Sequence, residues 1–105
     1  MTGIEFEEFL RKWFRKKGYR VEMTKTSNDY GADLLLYKKK ELTVVQAKCY
    51  GSNIGIKAVQ EVIGAMSYYD GDYGMVVTNQ YFTKNAVNLA LKKDIILLDR
   101  DTFTQ

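Results

Sequence analysis

Between Gly3 and Lys17 the apolar side chains Phe6, Phe9, Leu10, Trp13 and Phe14 recur at intervals of three and four, the spacing that lines one side of a helix. Gly18 follows as a natural helix stop. The period then changes. Tyr19–Thr24 reads as a short strand, and Ser27, Asn28, Asp29, Tyr30 and Gly31 carry the chemistry of a turn. Ala32–Tyr37 and Leu42–Cys49 are β-prone apolar runs on either side of Lys38–Glu41, a hairpin pattern. Gly51–Gly55 is a loop. Ile56, Val59, Val62, Ile63 and Met66 return to helical spacing and end near Tyr69–Gly71. Gly74–Thr78 reads as a buried strand, Thr83 caps a helix through about Lys93, and Ile95–Leu98 closes with a last apolar strand. The order αβββαβαβ requires parallel crossovers towards the C-terminal end and an antiparallel hairpin before them. This predicts an α/β (α+β) mixed sheet flanked by helices, in one domain spanning 1–105.

Polar residues interrupt the hairpin where burial of unpaired charge would be costly. A turn centred between Lys39 and Lys40 sets Asp33 opposite Gln46. Side chains alternate along a strand, so Gln46 and Lys48 share a face and Asp33 joins them. Leu34, Leu36, Val45 and Ala47 then point the other way. A three-residue loop would move Asp33 to the opposite face. Asp33 can bind a divalent cation through oxygen, and the Gln46 carbonyl can help without adding charge. Lys48 can orient or deprotonate a water, or stabilise charge developing on phosphorus. A phosphodiester is the natural substrate for such a set.

Composition narrows the choice by what it lacks. The 105 residues include no His and one Cys. Imidazole bases, His-based triads, His-rich zinc sites and thiolate clusters are therefore excluded. Carboxylates, amides, lysines and a hard, oxygen-binding cation such as Mg²⁺ remain. The net charge is only +3, but its distribution is uneven. Arg11, Lys12, Arg15, Lys16, Lys17 and Arg20 crowd one stretch and Lys38–Lys40 another, both able to neutralise phosphates or to form solvated faces. No apolar run approaches the roughly 18 residues of a membrane span, and the first residues are acidic rather than leader-like. A soluble, cytoplasmic protein without a membrane partner is expected, and the lone Cys49 fits a reducing compartment.

The stretches GIEFEEFL, KKGYRVEMT, SNDYGADLLLY, VVQAKCY, AVQEVIGAM, GMVVTNQYFTKNAVNLA and IILLDRD occur in order over nearly the whole chain. Together they resemble the Mrr-type restriction endonucleases of the PD-(D/E)XK nuclease superfamily. The resemblance implies a restriction-endonuclease-like core, Mg²⁺-dependent cleavage of DNA (Mn²⁺ able to substitute) and frequent homodimers. It also implies that Asp33 is the metal-binding aspartate, Lys48 the catalytic lysine, and Gln46 the member of a D-x12-QxK site that stands where many relatives have Glu. Glu7 matches the family's helix-one glutamate. At roughly 100° per residue it flanks the Phe6/Leu10/Phe14 face, with Glu8 outward and Glu5 on the other flank as the next candidate. Ala32 replaces the proline that names the superfamily. Gln46 removes a negative charge, which throws more weight onto Glu7. Gln60 matches a polar position near the site or the DNA, and Arg11, Arg15 and Lys16 are candidate DNA contacts. Such proteins commonly carry a separate DNA-recognition domain or subunit, for which these residues leave no room. The readings to be separated are a DNA endonuclease, a Holliday-junction-resolvase-like nuclease, and a non-catalytic nucleic-acid-binding module that keeps the fold.

Overall fold

Thr2 opens the first helix by a reciprocal cap: the Glu5 N–H donates to Thr2 Oγ1 (3.1 Å) while the Thr2 N–H donates to Glu5 Oε1 (2.8 Å). Two otherwise unpaired helix-end groups are thereby satisfied. The computed structural model describes residues 2–24 and 32–103; the turn expected at 27–31 lies outside them. Helix α1 runs Gly3–Lys16 and buries Phe6, Leu10 and Phe14. It stops at Gly18, whose φ of 95° is left-handed and therefore suits glycine. Lys38 also serves this helix end, donating from Nζ to the Lys17 carbonyl at 2.8 Å.

The remaining elements are β1 (Arg20–Met23), β2 (Leu34–Lys38), β3 (Glu41–Lys48), α2 (Ile56–Tyr69), β4 (Tyr73–Thr78), α3 (Lys84–Lys93), β5 (Ile95–Leu98) and α4 (Arg100–Phe103). The strands form one five-stranded sheet in the order β1-β2-β3-β4-β5. β1, β2 and β3 pair antiparallel, whereas β3–β4 and β4–β5 are parallel. This is the mixed sheet expected from the element order. α4 is an addition to that order.

Strand alternation gives the sheet two apolar faces. Leu34, Leu36, Val45, Met75 and Val77 pack with α1. Leu35, Val44 and Val76 pack with Ala58, Val59, Val62 and Ala65 of α2 and with Ala86 and Ala90 of α3. Each fully buried Leu or Phe contributes about 1.5–3 kcal/mol by leaving water, so both layers are held on chiefly by these contacts. α4 joins the α1 side through Phe103, whose ring meets Phe9 at 5.6 Å and Trp13 at 5.1 Å. Among the described residues no helix is long and apolar enough to cross a membrane.

The β2–β3 turn consists of Lys39 and Lys40, both left-handed at φ 52° and 65°. The two-residue hairpin turn with this conformation ordinarily uses Asn-Gly. Replacing Lys39 by Asn and Lys40 by Gly together should therefore stabilise the protein by about 1 kcal/mol. A urea midpoint that stays put or falls would mean that the lysines make compensating interactions in the folded chain.

Candidate active site

The hairpin ladder pairs Leu34 with Val45 and Lys38 with Glu41. Asp33, one residue before β2, continues it: its N–H donates to the Val45 carbonyl at 2.8 Å, and its carbonyl accepts from the Thr24 N–H at 3.1 Å. Asp33 thus stands opposite Gln46, on the face that also carries Lys48. The next strand holds this edge of the hairpin in place, with Gln46 beside Val76 and Lys48 beside Thr78 in the parallel ladder.

The carboxylate of Asp33 is fixed by backbone, since the Ala47 N–H donates to its Oδ2 at 2.9 Å. Burial pushes the Asp33 carboxyl up; the Ala47 amide and the Lys48 charge oppose this, Glu61 adds to it, and the net shift is upward. Gln46 is 6% exposed, and its Oε1 has no hydrogen-bond partner among the described residues. An unmade bond to a buried acceptor costs about 1–3 kcal/mol. An oxygen-seeking ligand would remove that cost.

Lys48 is largely buried as well. Its Nζ lies 3.1 Å from Glu61 Oε1, in an ion pair whose side chains are 14% and 30% exposed. The ammonium also stands 5.5 Å from the centre of the Tyr50 ring. Burial acts to lower the Lys48 pKa, but Glu61 and Tyr50 outweigh it and the net shift is upward. Tyr50 is held from behind: its N–H donates to Asn79 Oδ1 at 3.0 Å, and Gln80 Nε2 donates to its carbonyl at 3.1 Å.

Glu7 reaches this region from α1, on the opposite face of the sheet. Its carboxyl is raised first by burial and then by the negative charge of Asp33, so the two carboxylates are electrostatic neighbours. Glu8 is exposed and pairs with Arg11 at 3.2 Å. Glu5 is committed to the helix cap, which removes it as the alternative to Glu7. Gln60 is exposed on the outer side of α2. Its neighbour Glu61 is the side chain that faces the site, a residue absent from the candidates that the sequence offers. Ala58 and Ala65, three residues before and four after it, are buried, so helical periodicity alone puts Glu61 on the rim of the buried stripe. Lys12, Arg15 and Lys16 are exposed along α1, and Lys17 lies over the Trp13 ring at 4.4 Å.

Among the described residues no three His, Cys, Asp or Glu side chains gather closely enough to hold a metal ion by themselves. The donor set that fits a cation is mixed, the Asp33 carboxylate with the unpartnered Gln46 carbonyl, and Glu7 near by. Oxygen donors of this kind suit a hard ion such as Mg²⁺.

A family model for a restriction endonuclease catalytic domain, Mrr_cat, matches residues 1–105. The chain belongs to the Mrr_cat restriction endonuclease family. Solved structures agree on the fold of this Mrr_cat chain. A protein of unknown function aligns with TM-score 0.76 at 13% identity, over 89% of this chain and 55% of its own. The DNA modification-dependent restriction endonuclease AspBHI aligns with TM-score 0.73 at 21% identity, over 93% and 29% respectively. A repair endonuclease from Pyrococcus abyssi gives 0.72 at 17%, over 94% and 46%. The Mrr_cat chain therefore spans about half or less of the structures it matches. No curated protein sequence matches it at a significant level.

Proposed function

We propose that this Mrr_cat domain is a divalent-cation-dependent endonuclease that hydrolyses phosphodiester bonds of DNA. The reading is carried by one observation: the Asp33 carboxylate, the buried and unpartnered Gln46 Oε1, and the Lys48 ammonium share one side of a single hairpin edge. Asp33 and Gln46, with Glu7 completing the set, would hold Mg²⁺ or Mn²⁺. When bound, the cation supplies Lewis acidity towards the phosphate and charge neutralisation.

The protein's own groups divide the remaining work. Lys48, paired to Glu61, is kept as an ammonium and stabilises negative charge as it builds on the phosphoryl oxygens. Asp33 is pre-positioned by the Ala47 amide, so it need not reorganise when the substrate arrives. The exposed Arg15 and Lys16 lie about 12–14 Å along the helix axis from Glu7, within reach of the same duplex, and would neutralise its phosphates away from the cut. Arg11 would contribute once released from Glu8, and the exposed Gln60 can meet the DNA only from the outer side of α2. A homodimer and a separate recognition domain or subunit complete the proposed working assembly.

The test is to incubate supercoiled, linear and branched DNA with Mg²⁺ or Mn²⁺, with and without EDTA. Cleavage that EDTA removes is the expected result. Preference for branched DNA would make the domain resolvase-like. Binding of every form without cleavage under any cation would replace the nuclease with a nucleic-acid-binding module.

A further inference from the structure

Two cationic occupants compete for the neighbourhood of Asp33. One is the divalent cation of the proposed reaction, on which this inference rests. The other is the protein's own Lys48 ammonium, whose charge already acts on the Asp33 carboxyl. A lysine beside an aspartate ordinarily closes into an ion pair, because at about 4 Å the attraction amounts to several kcal/mol in a partly buried setting. Here the ammonium is drawn elsewhere. Among the described residues the only acidic side chain within ion-pair distance of Lys48 is Glu61, at 3.1 Å.

We infer that Glu61 is a positioning residue that holds the Lys48 ammonium off Asp33, leaving Asp33 and Gln46 open to the cation while keeping Lys48 beside them. Three features of the fold support this arrangement. Glu61 projects from α2, whose Ala58, Val59, Val62 and Ala65 are packed into the sheet, so its backbone is held in place beside the end of β3. Tyr50 closes the ammonium in from the exit of β3, and its backbone is pinned by Asn79 and Gln80. That pinning is itself anchored, because Arg100 donates from its N–H to the Gln80 carbonyl at 2.9 Å and from Nε to the Asn79 carbonyl at 3.1 Å.

The unpartnered Gln46 Oε1 belongs to the same pattern. A lysine free to move would be an obvious donor to that buried acceptor, yet the acceptor has no partner among the described residues. Holding Lys48 on Glu61 therefore preserves both the carboxylate and the amide oxygen for a different ligand. Without Glu61 the ammonium would fold back onto them and act as an internal competitor.

The decisive experiment measures cation binding rather than cleavage. Mn²⁺ affinity is determined by calorimetry for the wild-type protein, Glu61→Gln, Lys48→Ala and the double variant, with circular dichroism to confirm that each is folded. Glu61→Gln is expected to bind Mn²⁺ roughly 10-fold or more weakly, the usual scale for groups that orient a metal site from outside it. Removing Lys48 as well should restore binding to the level of Lys48→Ala alone, because the competitor is gone. If the double variant stays as weak as Glu61→Gln, Glu61 is a ligand of the cation and the inference is overturned. Unchanged affinity in Glu61→Gln overturns it equally. Either result leaves the nuclease reading intact, whereas a wild-type protein that binds no cation defeats that reading and this inference with it.

Discussion

Asp33→Asn is expected to abolish DNA cleavage while raising the melting temperature at neutral pH. The loss should be about 10³-fold or more in rate, equivalent to ~4 kcal/mol of transition-state stabilisation, because the amide cannot replace the carboxylate as an anionic ligand. The gain in stability follows from the direction of the Asp33 shift. Burial raises its pKa in the folded chain above the unfolded value. Such a group favours folding when protonated, below the unfolded pKa, and that contribution is lost as pH rises through the folded pKa. At neutral pH the native protein therefore holds a carboxylate in a place that disfavours charge. Asparagine removes the charge and can still accept from the Ala47 N–H. The stabilisation should fade as the comparison is moved to acid pH, where the wild-type carboxyl is protonated as well. Thermal melts of both proteins across that range check the sign. A lower melting temperature for the variant at neutral pH would mean that the Asp33 charge holds the fold together rather than waiting for a ligand.

Lys48→Ala should be nearly as severe for catalysis and different in every other respect. Loss of a pre-positioned cationic group at the point of charge development costs about 10²–10³-fold in turnover. The cation should still bind, since a neighbouring positive charge has been removed rather than a ligand, and binding of DNA should change little. Single-turnover cleavage and Mn²⁺ calorimetry on the two variants together separate the roles: Asp33→Asn loses both activities, Lys48→Ala only cleavage. Equal loss of cation binding in Lys48→Ala would place the lysine in the architecture of the site and not in the reaction. Arginine at this position should rescue poorly, because its planar, longer head cannot occupy the space between Glu61 and Tyr50 as a compact ammonium does.

Most of the architecture was legible in residue order. The Phe6, Leu10, Phe14 spacing and the alternation on either side of Lys39-Lys40 each admit one element type, and the hairpin's parity alone sets Asp33 across from Gln46. Two things were not legible. α4 is four residues long, Arg100–Phe103, too short to show a period, and it is held by ring contacts from Phe103 to distant α1 residues that no local pattern contains. For Glu61 the periodicity of α2 marks the rim of the buried stripe but not the partner it meets there, and the polar match to the family falls on the neighbouring Gln60. On a helix a single position is a turn of about 100°, enough to separate an exposed side chain from one that meets Lys48. The pairing itself joins β3 to α2, and only the packing of Ala58, Val62 and Ala65 against the sheet determines that it occurs. The turn lysines show the converse case, since Lys39 and Lys40 adopt a backbone conformation that their own preferences oppose, imposed by the ladder on both sides.

Glu7 arrives at the hairpin edge from one side of the sheet and Glu61 from the other, while Asp33, Gln46 and Lys48 sit on the strands between. The whole set is therefore displayed only where both helix layers are docked on the hairpin. A hairpin without docked α2 would lack the Glu61 partner of Lys48 and leave the lysine and Asp33 to neutralise each other. The candidate set is thus a property of the finished sandwich: it needs a helix layer on each side of the sheet, and neither layer presents it alone.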